Sequence, residues 1–155
     1  NPAIMKEFIY NSLSMKKKLI EVDEFDQGPR NVMNYGHSFG HAIESVTDYD
    51  IPHGIAVTIG MDIANFVAKE LGVSSISHFE RMHNVLNKNC KTYRHVSINV
   101  DSFLNALSKD KKNSASQLRL ILPDKGGKIS IGLYDNSERL KKSLEKYFEI
   151  YGADN

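Results

Sequence analysis

Four side chains suited to gripping an anion beside a metal recur along one short stretch: Arg30, Asn34, His37 and His41. They stand at i, i+4, i+7 and i+11, so at ~100° per residue of α-helix they fall within an arc of roughly 60°. A guanidinium and an amide can donate to a carboxylate or phosphate. Neutral imidazoles suit Zn2+ or a related divalent ion. Taken singly, each residue also fits an ordinary surface or hydrogen-bonding role. The shared face sets the four apart, and so does His53, which follows soon after. The link over residues 47–52 is short enough to make the helices on either side antiparallel neighbours, placing His53 beside the stripe. Two imidazoles are too few for a metal site, because a catalytic zinc takes a third protein ligand and keeps one position open. Glu44 and Asp62 are both candidates, and the residue pattern does not choose between them.

The stripe requires a helix over residues 30–46, with Val32, Met33, Phe39 and Ile43 turned to a core on the opposite face. Gly36 and Gly40 lie on that far side, where each costs roughly 1 kcal/mol relative to alanine. That cost is easiest to understand where another backbone comes close. Residues 2–20 read as a helix, with Ile4, Phe8, Met15 and Leu19 periodic and Pro2 in the first turn. Residues 23–29 read as a loop. A helix over 53–71 ends at Gly72, another over 74–89 is opened by Ser74 or Ser75, and a shorter one over 101–108 is capped by Asp101. Residues 117–122 and 128–131 form a hairpin about the turn at 123–127. A last helix over 137–151 places Leu140, Leu144, Tyr147 and Phe148 inward. The fold class is therefore mostly α, a multi-helix metal-binding domain with one small antiparallel β-hairpin.

Bulk properties remove several function classes. A formal net charge of +1 supplies no field to attract a phosphate backbone, so no nucleic-acid partner is expected. The apolar runs fall well short of the ~20 residues that span a bilayer, so no membrane partner is expected either. Cys90 is the sole cysteine, which excludes an intrachain disulfide and a cysteine-based zinc framework and suggests a reducing compartment, the cytoplasm. No Gly-rich dinucleotide fingerprint occurs.

The motifs themselves resemble a known family. Asn34-Tyr35-Gly36-His37-Ser38-Phe39-Gly40-His41-Ala42-Ile43-Glu44 is similar to the asparagine-x-glycine-histidine-(Ser/Thr)-x-glycine-histidine-alanine-isoleucine-glutamate motif of the 3-dehydroquinate synthase and sugar-phosphate cyclase family. His53-Gly54-x-Ala56-Val57 with Ile59-Gly60-Met61 resembles its second histidine motif. Residues 16–30, with Asp23, Glu24, Asp26, Gly28 and Arg30, follow an upstream pattern, and Asp110-Lys111-Lys112-Asn113 resembles a later lysine motif. Ile55 and Asp26 stand where the family commonly has Glu, and Pro29 stands where a flexible or aliphatic residue is usual. These departures would suit a paralogue acting on another phosphorylated sugar.

The resemblance implies roles. His37 and His53 are the two histidine metal ligands, for zinc or cobalt, and the third ligand is a glutamate upstream of this chain. His41 contacts substrate. Lys16, Arg30 and Asn34 bind the substrate's carboxylate and phosphate. One of Lys111 and Lys112, with Lys111 preferred, is a further phosphate contact, and Asp26 belongs to the same catalytic set. The implied reaction is the NAD-dependent cyclisation of a seven-carbon phosphorylated keto acid with loss of phosphate. Residues 1–155 are then a single helical metal- and substrate-binding domain, whose N-terminal NAD-binding domain lies outside this chain and whose enzyme is a homodimer. The alternatives are a paralogous sugar-phosphate cyclase of secondary metabolism and a non-catalytic helical metal-binding module.

Overall fold

The computed structural model describes residues 1–25, 28–93, 96–109 and 116–152. It forms two compact units, Asn1–Met33 and Asn34–Asn155.

In the first unit, α1 (Pro2–Val22) starts at Asn1, whose side chain accepts from the Ala3 N–H at 3.0 Å, and ends where the Asp23 N–H donates to the Leu19 carbonyl. No residue of α1 is buried, and Ile4, Met5, Phe8, Ile9, Leu13 and Met15 are each more than half exposed. Beyond it the Asp23 carboxylate accepts from the N–H groups of Gly28 (2.8 Å) and Arg30 (3.1 Å). Asp23 thereby caps a short 3-10 helix, Pro29–Asn34.

The second unit is built on α2 (His37–Val46) and α3 (His53–Glu70). Their contacts run in opposite order. A side chain built at Gly36 would meet Met61, one at Gly40 would meet Val57, and Glu44 is bonded to His53. The two helices are therefore antiparallel, as the short link requires. Within that link Asp48 and Tyr49 adopt left-handed φ values of 49° and 63°, and the turn is tied by Tyr49 N–H to the Glu44 carbonyl at 2.9 Å.

The single helix expected over residues 30–46 is instead two pieces. The chain leaves the 3-10 helix at Asn34, turns through Tyr35 and Gly36, and begins α2 at His37. Gly36 sits at φ +81°, and a Cβ there would lie 2.5 Å from Met61 Cγ and 2.8 Å from the Val57 carbonyl oxygen. Left-handed backbone under this crowding admits glycine alone. Arg30, Asn34, His37 and His41 consequently do not share one continuous helix. Phe39 and Ile43 are buried as expected, whereas Met33 is exposed.

Glycine at position 60 lets α2 and α3 approach this closely. A Cβ on Gly60 would collide with the Gly36 carbonyl oxygen and stand 2.7 Å from the Gly40 nitrogen. Both are backbone atoms with little freedom to move. Gly60→Ala should therefore cost about 3 kcal/mol, which is a fall in Tm of roughly 6–12 °C for a domain of this size. An unchanged melting temperature would show that the helices can separate freely.

Most of the remaining elements pack on α3, whereas the helix over residues 100–108 packs on α2. Helix α4 (Ile76–Cys90) is capped by Ser75, whose hydroxyl accepts from His78 N–H at 3.2 Å. A short 3-10 turn, Lys91–Tyr93, follows, and then α5 (Val100–Ser108). The cap of α5 is Asn99, accepting from Ser102 N–H at 2.9 Å, and the expected cap Asp101 lies in the first turn instead. Strand β1 (Gln117–Pro123) pairs antiparallel with β2 (Ile129–Asp135), a strand four residues longer at its far end than the pattern suggested. Alternate residues Leu118, Leu120 and Leu122 enter the core, and α6 (Glu138–Tyr151) adds Leu140, Leu144 and Tyr147. At the centre the fully buried Asp62 of α3 accepts from His83 of α4 at 2.9 Å and from the Tyr147 hydroxyl of α6 at 2.7 Å. A buried carboxylate is tolerable only when paired in this way, so these bonds fix α4 and α6 in register on α3.

Candidate metal centre

Three imidazoles converge between α2 and the start of α3. His37 is the first residue of α2, His41 follows one turn later, and His53 is the first residue of α3. The ring centroids are 5.6 Å apart for His37 and His41, 5.6 Å for His37 and His53, and 5.8 Å for His41 and His53. Antiparallel packing produces this triangle, because the start of α3 lies beside the body of α2. His37 is half-buried, while His41 and His53 are exposed.

The environment of His37 favours its neutral ring. Burial lowers the pKa of His37 below the usual imidazole value; the Tyr35 carbonyl opposes it, and His41 and His53 add smaller lowering effects against a still smaller opposing one from Glu44. A neutral ring keeps a lone pair for a metal. His37 Nδ1 faces the Tyr35 carbonyl at a long 3.4 Å, and His53 Nδ1 lies 2.9 Å from Glu44 Oε1. Tyr35 is itself anchored, with its buried hydroxyl donating to Asn65 Oδ1 of α3 at 2.7 Å.

Of the two carboxylates that the residue pattern left open, Glu44 stands at the histidines. Ligating atoms of His41, Glu44 and His53 all lie within 4.8 Å of one another. Asp62 is committed to His83 and Tyr147. The donor set of imidazoles with one adjacent carboxylate suits zinc or cobalt chemically.

The other residues singled out in the sequence are distributed between the units. Lys16 and Arg30 belong to the first, and Asn34 to the second with the histidines. Lys16 is exposed on α1, where at ~100° per residue it falls between Met5 and Ile9 inside an apolar arc. Arg30 is half-buried, with its backbone held by Asp23 and its Nη1 donating to the Glu24 carbonyl at 2.7 Å. Asp26 and Lys111 lie outside the described residues. The orienting parts played by Asp23, Tyr35 and Asn65 were not anticipated. The Gly28 to Arg30 turn after an acidic residue could have signalled the first, but nothing local signals the other two.

A family model described as 3-dehydroquinate synthase C-terminal matches residues 1–113. The chain belongs to that family. Among similar proteins are the 3-dehydroquinate synthases of Helicobacter pylori (strain P12), 36% identical over 144 residues, and of Sulfurovum sp. (strain NBC37-1), 36% identical over 147. The matches cover 92% and 94% of this chain, and in both cases 42% of the relative. The chain thus spans less than half the length of these 3-dehydroquinate synthases. A solved 2-deoxy-scyllo-inosose synthase, complexed with carbaglucose-6-phosphate, NAD+ and Co2+, shares the fold with TM-score 0.79 and 23% identity, over 94% of this chain and 43% of that one. A 2-epi-5-epi-valiolone synthase from Streptomyces hygroscopicus subsp. jinggangensis 5008, with NAD+ and Zn2+ bound, does so with TM-score 0.68 and 19% identity, over 86% and 37%. The fold is shared with these two synthases, and the expected mostly helical class with one hairpin is borne out.

Proposed function

We propose that this chain is the metal- and substrate-binding C-terminal part of a 3-dehydroquinate synthase of the shikimate pathway. The observation that carries the reading is the triangle of His37, His41 and His53, in a chain whose relatives at 36% identity bear that name. His37 and His53 hold the divalent ion, zinc or cobalt, together with a carboxylate outside this chain, and His41 faces the substrate. When bound, the ion supplies Lewis-acid polarisation of a substrate oxygen and NAD supplies the hydride chemistry.

The chain's own residues do the holding. Lys16, Arg30, Asn34 and Lys111 are the groups for the substrate's carboxylate and phosphate, with Asp26 in the same set. Fixing both ends of a flexible seven-carbon acid lowers the entropic part of the barrier to ring closure. The position of Lys16 supports this role, because a cation amid Met5, Ile9 and Leu13 needs an anion once that face is covered. The apolar face of α1 is the natural seat for an N-terminal NAD-binding domain. The proposed enzyme is a cytoplasmic homodimer, and among the described residues no helix is long and apolar enough to cross a membrane.

The test is phosphate release by the full-length enzyme, supplied with NAD and Zn2+ or Co2+. The seven-carbon phosphorylated keto acid should be turned over and a phosphorylated hexose should not. The reverse preference would make the protein a paralogous cyclase. Failure with both substrates by a metal-loaded, folded protein would leave the non-catalytic metal-binding module.

A further inference from the structure

We propose that Glu44 is a positioning residue for the metal centre, holding His53 so that Nε2 is its ligating nitrogen. The inference rests on the reading of His53 as a metal ligand. A carboxylate can only accept, so the bond of 2.9 Å between Glu44 Oε1 and His53 Nδ1 places the ring proton on Nδ1. The lone pair that remains is on Nε2. His37 repeats the arrangement more loosely, with its Nδ1 turned to the Tyr35 carbonyl at 3.4 Å. Both rings are therefore set to offer the same nitrogen, which is the usual way an outer partner fixes the tautomer of a metal-bound histidine.

Burial separates an outer role for Glu44 from direct ligation. The Glu44 side chain is 10% exposed, against 56% for His53. The carboxylate belongs to α2, and among the described residues His53 is its only hydrogen-bonding partner. With Oε1 accepting from Nδ1 and the side chain largely buried, the carboxylate is placed to orient the ring from its Nδ1 side. The arrangement also explains how His53, exposed at the first turn of α3 with no side-chain cap beside it, keeps one orientation. A negative charge against the ring also raises its basicity as a ligand.

The test is a cycle of variants in the full-length enzyme. Zn2+ affinity is measured by competition with a chelator, and the melting temperature of the metal-free protein is read alongside. Glu44→Gln should weaken Zn2+ binding about 10–100-fold, with the metal-free melting temperature close to that of the parent. Glu44→Asp keeps the charge, shortens the reach by one methylene, and should fall between the two. It is also the variant to read if the Gln form does not fold. In a His53→Ala background, adding Glu44→Gln should produce no further loss, because the carboxylate acts through that ring. An unchanged affinity for Glu44→Gln overturns the proposal, and so does a further loss in the His53→Ala background, which would make Glu44 a ligand. If neither His37→Ala nor His53→Ala alters Zn2+ binding, the metal-centre reading itself fails.

Discussion

His37→Ala in the full-length enzyme is expected to remove bound metal and turnover together, whereas His41→Ala should abolish most turnover while the metal stays. The three rings are almost equidistant, so separation alone does not assign their roles. Their Nδ1 contacts distinguish them. His37 and His53 each have a protein oxygen facing Nδ1, at 3.4 Å and 2.9 Å. No such contact orients His41 among the described residues. A structural zinc site contributes about 10–16 kcal/mol over four ligands, so one ligand is worth about 3 kcal/mol, or roughly 150-fold in affinity. His37→Ala and His53→Ala should each show a loss of that order by metal analysis after dialysis. His41→Ala should stay within about tenfold of the parent in metal content while kcat falls by about 10²–10⁴, the range of one general acid–base group. Equal metal loss in the His41 and His37 variants would make the i, i+4 pair the chelate. Metal loss in the His41 variant but not in the His37 variant would instead make the cluster of His41, Glu44 and His53 the ligand set.

The parts of this centre that could be read from the sequence are those set by local spacing and by motif order. The antiparallel pairing of α2 and α3 followed from a six-residue link, and the approach of His53 to His37 followed from the pairing. Ser75 was legible as a cap because a hydroxyl stood just ahead of a periodic run. The break at Gly36 was not legible. The spacing of Arg30, Asn34, His37 and His41 fits one helix, and nothing in a periodicity reveals that Met61 and Val57 crowd the glycine between them. The glycines did signal a close backbone, but not that the chain would turn left-handed there. Placing Glu44 rather than Asp62 beside the histidines required knowing that Asp62 is bound by His83 and Tyr147, residues 21 and 85 positions away. Contacts at such separations leave no periodic trace. Asn99 displaced Asp101 as the cap of α5 because helices begin where a side chain can reach back to a free N–H, and both residues have one that can.

Arg30→Lys should damage catalysis although the charge is kept. The Arg30 backbone is pinned by the Asp23 carboxylate, and its Nη1 donates to the Glu24 carbonyl at 2.7 Å, so one arm of the guanidinium is already used to aim the group. The remaining N–H donors form a rigid fork matched to a carboxylate or phosphate. An ammonium is a point charge on a flexible stem and cannot hold the Glu24 carbonyl and a bidentate anion in one fixed geometry. Charge-assisted hydrogen bonds are worth about 1.5–3 kcal/mol each, and replacing the fork by a single contact should forfeit about one of them in the transition state. The expected fall in kcat/KM is then about 10–150-fold. Metal content should not change, because no ligand is touched. Melting temperature should move little, because the surface bond to the Glu24 carbonyl is worth about 1 kcal/mol. Turnover within about threefold of the parent would show that Arg30 contributes only its charge. A fall in melting temperature that tracks the lost activity would show that its bond to Glu24 holds the turn rather than the substrate.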